Sequence, residues 1–226
     1  MELGVSVKKV VKFVIVLIVI ILIVLFYLYH DKPQWFSHLK SQPEVTPIVL
    51  NTTGQPMQGK PNSPIKIVAF EDLKCANCKR FDQSLLPWIR DNYIVTHKAN
   101  YTMIVVAFLP DSTQAAVGAY CAGQQSSPAF YQYVDTLYNN QGDETSNWAN
   151  MAKLLQLAQQ VDNLDQDAFM TCLTDSNNVS HIVDNTNYAS DVMNGELATP
   201  TLYVNGVLVR PLSKDQFKKI VAQTSK

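Results

Sequence analysis

The chain has 226 residues, of which 47% are apolar and 16% are charged, and its formal net charge is −1. This length allows one medium-sized domain with additional segments, and the composition is that of an ordinary globular protein. The near-neutral charge, with no window rich in Lys and Arg, argues against a nucleic-acid partner.

The N-terminal segment is predicted to cross a membrane once. Residues 13–30 form an apolar run without a charged side chain before His30, about the length that spans the hydrocarbon core of a bilayer. Lysines precede this run, so the positive-inside rule predicts that residues 1–12 are cytoplasmic and that the rest of the chain lies outside. The alternative is a cleaved signal peptide, but the run is long for one and no small-x-small cleavage site follows it.

Residues 31–60 are predicted to be a tether between this span and a folded domain. Prolines and two glycines are scattered through the segment, and Pro-rich linkers are extended and semi-rigid. Within the tether, residues 48–50 are predicted to be a short strand. The tether is too short to contain a separate dimerisation domain.

Two buried strands with a helix between them are predicted next. Residues 65–70 and 101–109 are short apolar runs, the second with β-branched residues at its centre. Between these runs, apolar residues recur at helical spacing over residues 76–92, where Pro87 is expected to kink the helix.

The second half of the chain predicts a block of helices, a hairpin and a last helix. Residues 113–194 show helical periodicity, with Asn and Gln in the gaps. Asn205-Gly206 separates two short apolar runs, 201–204 and 207–209, which is a strong signal for a type I′ hairpin turn. Ser213 is in position to cap the last helix.

This order of elements predicts the α/β thioredoxin fold with an inserted all-helical subdomain, preceded by one transmembrane helix. Residues 61–112 and 195–226 are expected to form the thioredoxin core. Residues 113–194 are expected to form the insertion.

Cys75-Ala76-Asn77-Cys78 follows the first buried strand, where the chain is predicted to enter a helix. A thiolate at a helix N-terminus faces unpaired N–H groups and the positive end of the helix dipole, which lower its pKa and make it a good leaving group. These cysteines therefore predict a redox-active disulfide that needs no metal or other cofactor. The alternatives are a static disulfide or half of a zinc site, although zinc needs a second pair of ligands at close spacing.

Cys121 and Cys172 lie outside this motif, in the predicted helical insertion. They are predicted to pair as a structural disulfide, since a domain outside the cytoplasm is in oxidising space where disulfides persist. The alternative is that they are two buried thiols.

Three segments carry a resemblance to a known family. Asn62-Ser63-Pro64 with residues 70–78 matches the pattern N-x-P…F-x-D-x-x-C-x-x-C, and residues 115–122 are similar to the first inserted helix of the same family. Residues 199–206 match the pattern T-P-T-x-x-V-N-G. Over residues 45–224 the chain thus resembles the DsbA-like exported thiol–disulfide oxidoreductases of bacteria. Cys-x-x-Cys alone is weakly specific, but its combination with the last segment is strong.

The resemblance implies roles for individual residues. Cys75 is expected to be the exposed nucleophile and Cys78 the buried resolving thiol. Thr199 and Pro200 are expected to form a cis-proline loop beside the disulfide, where the Thr199 backbone binds an extended substrate segment. The alternative for Pro200 is an ordinary proline at the start of a strand.

Two departures from the family bear on the redox equilibrium. Ala76-Asn77 replaces the Pro-His of the strongest oxidases and offers no ring N–H to the Cys75 thiolate. Ala69 stands where many members have a buried acidic residue. Three nearby cations are expected to stabilise the thiolate instead: Lys74, Lys79 and Arg80.

The resemblance implies an oxidase of the inner (cytoplasmic) membrane, with its catalytic domain in the periplasm. Its substrates would be exported proteins with cysteines, and its redox partner a DsbB-like membrane oxidase. One alternative is a reductase or isomerase of the same fold that is kept reduced by a membrane reductant. The other is a binding or assembly module with a redox-inert disulfide.

Overall fold

The computed structural model describes residues 7–30 and 46–225 and divides the chain into two units, with the boundary in the sequence between Thr46 and Pro47. The described part of the first unit is helix α1 (Val7–His30). Its stretch Val10–Tyr27 has a mean hydropathy of 3.3 and is not buried, so α1 is long and apolar enough to cross a membrane. This helix fits a single-pass membrane anchor. Residues 31–45 of the predicted tether lie outside the described residues.

The second unit is built on a five-stranded mixed sheet in the order β1-β3-β2-β4-β5. Strands β2 and β3 are parallel, and the other neighbouring pairs are antiparallel. The carboxyl ends of β2 and β3 therefore meet at one edge of the sheet, and the start of β4 reaches the same edge because Thr201 pairs with Phe70. The strands are β1 (Met57–Gly59), β2 (Ile65–Asp72), β3 (Ala99–Val106), β4 (Thr201–Val204) and β5 (Val207–Leu208).

Helices cover both faces of this sheet. Helix α2 follows β2, helices α3 to α7 lie between β3 and β4 as the predicted insertion, and α8 follows the hairpin. Ser213 caps α8, since its Oγ accepts a hydrogen bond from the Gln216 N–H at 3.2 Å. The helices are α2 (Ala76–Ile89), α3 (Thr113–Gln125), α4 (Ser127–Asn139), α5 (Met151–Ala158), α6 (Gln166–Thr174), α7 (Asn178–Val192) and α8 (Lys214–Thr224).

Alternation along β2 divides its side chains between two cores. Ile67 and Ala69 belong to the larger core, which α2, α3 and α4 line. Val68 and Phe70 face the opposite side, where Ala189 of α7 closes a smaller core. The period of two places the next residue, Glu71, on the side of the larger core.

The predicted tether and its strand are wrong at their C-terminal end. Residues 48–50 are not a strand, and the first strand of the described chain is β1. Residues 47–60 belong to the folded unit, where the Ile48 N–H donates to the Gly206 carbonyl at 3.0 Å and the Tyr131 hydroxyl donates to the Pro56 carbonyl at 2.9 Å. A Pro-rich composition suggested a linker, but proline carbonyls still accept hydrogen bonds from a neighbouring fold.

Helix α2 and strand β3 also end at residues other than those predicted from the sequence. Helix α2 ends at Ile89 and passes into a π-helical turn (Arg90–Ile94), shortly after Pro87 removes one backbone donor. Strand β3 ends at Val106 rather than at residue 109. The N–H groups of Phe108 and Leu109 turn instead to the Asp72 carboxylate, both at 3.1 Å.

The hairpin prediction is confirmed. Asn205 and Gly206 have φ angles of +48° and +78°, as a type I′ turn requires. A Cβ at Gly206 would lie 2.0 Å from the Ile48 carbonyl oxygen, so this turn has no room for a side chain at that position.

Candidate active site

Cys75 and Cys78 lie at the N-terminus of α2, next to the carboxyl end of β2, and both are free thiols. Cys75 is the N-cap residue of the helix, and Cys78 is in its first turn with no exposed surface. Only 6% of Cys75 is exposed, because the loop at Thr199 covers it; its Sγ lies 3.6 Å from the Thr199 carbonyl oxygen. The expected exposed nucleophile is therefore largely shielded in the free protein.

The pKa of Cys75 is lowered to about 6. The main cause is a hydrogen bond from the Cys78 thiol, and the Thr199 side chain and the backbone N–H groups of Cys78 and Asn77 add to it. Together these donors outweigh the burial, which acts in the opposite direction. Burial and the nearby Cys75 and Glu71 raise the pKa of Cys78, so Cys75 is the thiol that ionises first.

Lys74 does not approach the sulfur as expected. Its side chain is buried, and its ammonium group donates to the Pro110 carbonyl at 2.6 Å on the neighbouring loop. Arg80 likewise donates to the side-chain oxygen of Asn77 at 2.7 Å. The largest causes that lower the pKa of Cys75 are neutral groups, and none of the three predicted cations is among them.

The acidic residue behind the active site is Glu71, although Ala69 suggested that such a group was missing. Glu71 is fully buried and accepts hydrogen bonds from the hydroxyls of Tyr101 at 2.7 Å and Tyr138 at 2.9 Å. Burial raises the pKa of this carboxyl to about 8, against the opposing effect of the Tyr101 bond. The predicted strand ended at residue 70. If it had been extended by one residue, its period of two would have placed Glu71 on the same face as Ala69.

Replacing Glu71 with glutamine is expected to remove a pH dependence of stability. The carboxyl has a pKa of 4.5 in the unfolded chain and about 8 in the fold, so the folded state holds this proton more tightly. Its contribution to stability is then fully present below pH 4.5 and is lost as the pH rises to about 8, on the order of 3–5 kcal/mol. Urea unfolding of the oxidised protein at pH 5 and pH 8 measures this difference.

Glu71→Gln should remove most of that slope, because an amide does not titrate; a smaller slope between pH 5 and 6 should remain from Asp82, whose pKa burial raises to about 6. The matched control is Glu196→Gln, which makes the same change at an exposed position and should leave the profile as in the wild type. An unchanged slope in Glu71→Gln would show that another group causes the pH dependence.

The loop before β4 completes the site. The Thr199–Pro200 peptide bond is cis, and the Thr201 hydroxyl holds the loop by donating to the Ala198 carbonyl at 2.7 Å. A second cis bond, Arg210–Pro211, follows β5 and carried no signal that the sequence analysis used.

Three further side chains organise the site, and sequence reasoning did not predict their roles. The buried Asp72 carboxylate accepts bonds from the Lys74 N–H and the Ser112 hydroxyl, which joins the loop after β2 to the loop after β3. Gln141 and Glu144 reach the active-site loop from the segment between α4 and α5. Pairs this far apart in sequence leave no local pattern.

Cys121 and Cys172 form a disulfide that joins α3 to α6, with an S–S distance of 1.98 Å and a Cα–Cα distance of 5.7 Å. Cys121 belongs to the larger core, and Cys172 packs against it. Neither sulfur is then available to complete a zinc site with Cys75 and Cys78.

This site, a free Cys-x-x-Cys pair at a helix N-terminus beside a cis-proline loop, is that of a thiol–disulfide oxidoreductase. Residues 51–223 match the protein family described as Thioredoxin. The disulfide bond formation protein D of Bacillus subtilis is 25% identical over 175 residues, which cover 76% of this chain and 78% of the relative. A probable disulfide bond formation protein D of Bacillus cereus is 27% identical over 165 residues, which cover 72% and 75%.

Solved structures agree with these relatives. The crystal structure of Chlamydia trachomatis DsbA has a TM-score of 0.71 and 26% sequence identity, and the match covers 80% of this chain and 96% of that one. Oxidised BdbD from Bacillus subtilis shares the fold, with a TM-score of 0.73, 23% identity and coverage of 80% and 98%. The chain belongs to the thioredoxin family, as a DsbA-like thiol–disulfide oxidoreductase. The predictions of fold class, family and enzyme class are confirmed.

Proposed function

We propose that this protein is an oxidase that transfers the Cys75–Cys78 disulfide to exported proteins with cysteines. The observation that carries the proposal is the contrast between the two thiols: the pKa of Cys75 is lowered to about 6, and that of the buried Cys78 is raised. A thiolate that is stable at neutral pH favours the reduced enzyme, which makes the disulfide a stronger oxidant.

The first step is attack of a substrate thiolate on Cys75 Sγ. The Cys75–Cys78 bond breaks, a mixed disulfide forms, and the electron pair of the broken bond passes to Cys78 Sγ. Cys78 then takes a proton, and we propose Glu71 as its source, since the raised pKa of about 8 keeps this carboxyl protonated at neutral pH and the pKa of Cys78 is raised further. Solvent later returns this proton to Glu71.

The second step releases the product. Another thiolate of the substrate attacks the substrate sulfur of the mixed disulfide and forms the new substrate disulfide. Cys75 leaves as a thiolate, and its lowered pKa makes it a good leaving group. Neither step requires a metal or a nucleotide cofactor.

The Thr199–Pro200 loop is proposed to bind the substrate. Because it covers Cys75, a substrate must contact this loop to bring a thiolate to the sulfur. An extended segment that pairs with the Thr199 backbone would place its cysteine beside Cys75, by addition of a strand.

The cell has to restore the disulfide after each turnover, and we assign this to a DsbB-like membrane oxidase. Helix α1 is proposed to cross the inner membrane within residues 13–30, with residues 1–12 in the cytoplasm and the catalytic unit in the periplasm. Residues 61–112 and 195–226 would be the thioredoxin core, with residues 113–194 inserted. The anchor would keep the catalytic unit near its oxidant.

The redox state in growing cells tests the proposed direction. Acid quenching followed by alkylation should find the Cys75–Cys78 pair mainly oxidised, because the disulfide is the form in which an oxidase reacts with its substrate. In intact cells treated with a reductant, a membrane-impermeant maleimide should label Cys75 from outside. A mainly reduced pair would instead indicate a reductase or isomerase, and a pair that never exchanges would indicate a binding module.

A further inference from the structure

The segment between α4 and α5 contacts the active-site loop through two side chains. Gln141 donates through Nε2 to the carbonyls of Leu73 at 2.9 Å and Cys75 at 3.3 Å. The Glu144 carboxylate accepts a hydrogen bond from the Ala76 N–H at 2.9 Å. The helical insertion thus supplies an anion to the helix that carries both cysteines.

Ala76 is the first residue of α2, which begins directly after Cys75. The next two backbone N–H groups, of Asn77 and Cys78, lie in the first turn of the helix and lower the pKa of the Cys75 thiol. The N-terminus of α2 therefore stabilises two negative groups at once, the carboxylate on the first N–H and the thiolate on the following two. The positive end of a helix favours each anion, but two anions at one helix end repel each other.

Other charged groups near Cys75 are arranged differently. The Lys74 ammonium donates a hydrogen bond to the Pro110 carbonyl. Glu71 raises the pKa of Cys78 rather than contacting the backbone after Cys75. Asp143 precedes Glu144, but its carboxylate accepts hydrogen bonds from Thr145 within its own loop. Of these carboxylates, Glu144 is the one bonded to the backbone that follows Cys75.

We propose that Glu144 is a positioning residue that sets the redox equilibrium of the Cys75–Cys78 pair, by sharing the N-terminus of α2 with the Cys75 thiolate. The carboxylate orders the helix end in both redox states. Its charge opposes the thiolate, which exists only in the reduced state. Glu144 therefore favours the disulfide form and keeps the protein a weaker oxidant than its helix N-terminus alone would make it.

This inference rests on the proposed role of Cys75 as the thiol that ionises. The test uses the full-length protein in detergent and the variant Glu144→Gln, whose amide oxygen still accepts the Ala76 N–H but carries no charge. Thiolate absorbance against pH gives the pKa of Cys75, and equilibration with glutathione gives the redox equilibrium.

In Glu144→Gln the pKa of Cys75 should fall by roughly half a unit to one unit, the scale of a charge at a helix end. The glutathione equilibrium should shift about threefold to tenfold toward the reduced enzyme, since almost all Cys75 is thiolate at neutral pH. The matched control Asp143→Asn removes the same charge from the adjacent position and should show less than about a third of either effect.

An unchanged or raised pKa of Cys75 in Glu144→Gln would overturn the inference, as would an equal effect of Asp143→Asn. A lower melting temperature of Glu144→Gln with an unchanged glutathione equilibrium would also overturn it, because Glu144 would then only cap helix α2. These outcomes differ from failure of the proposed function, in which the wild-type pair itself would not exchange with glutathione.

Discussion

Replacing Cys78 with serine is expected to trap substrate proteins on Cys75 as stable mixed disulfides. The pKa of Cys75 at the helix N-terminus is lowered, and the fully buried Cys78 is proposed to be the thiol that resolves the bond. Without Cys78, a mixed disulfide through Cys75 cannot be resolved by the enzyme itself. Acid quenching of cells that express Cys78→Ser, followed by non-reducing electrophoresis, should show a ladder of adducts that disappears on reduction.

Cys75→Ser is the matched variant for this experiment. It leaves a sulfur that is fully buried, so adducts should be few and insulin reduction should fall to the background rate. Equal trapping by the two variants would contradict the assigned order of the cysteines, and trapping by neither would contradict catalysis.

Replacing both Cys121 and Cys172 with alanine is expected to lower the free energy of unfolding by about 4 kcal/mol in the chain-entropy description. The bridge closes a loop with a sequence separation of 51 residues, which restricts the unfolded chain. For a domain of this size the loss corresponds to a fall in melting temperature of roughly 10 °C. Thermal unfolding followed by circular dichroism measures it, with alanine chosen to avoid a buried hydroxyl.

Activity separates this structural bridge from the redox pair. Cys121 and Cys172 join α3 to α6 and make no bond to the helix that carries Cys75 and Cys78, so the double variant should still reduce insulin at a rate close to the wild type. Labelling of either cysteine in the native oxidised protein would contradict the bridge, as would an unchanged melting temperature.

Local sequence determined the parts of this protein that neighbouring residues encode. An apolar run of sufficient length defines the candidate membrane helix wherever the rest of the chain packs. Cys-x-x-Cys after a buried strand predicted thiols at a helix N-terminus, and Asn205-Gly206 predicted the turn that the structure contains. Each pattern is short because its physical cause, a backbone angle or an unpaired N–H, is local.

The tertiary structure alone decided how the site is tuned. Glu71 becomes an acid with a raised pKa because two tyrosines, 30 and 67 residues away, meet it inside the core. Thr199 reaches Cys75 across 124 residues because β4 pairs with β2, and Glu144 reaches Ala76 across 68 residues because the insertion folds back. Burial and charge depend on groups brought together by packing, so the sequence predicted which two cysteines form the candidate redox pair, and the fold determined the burial and charge around them.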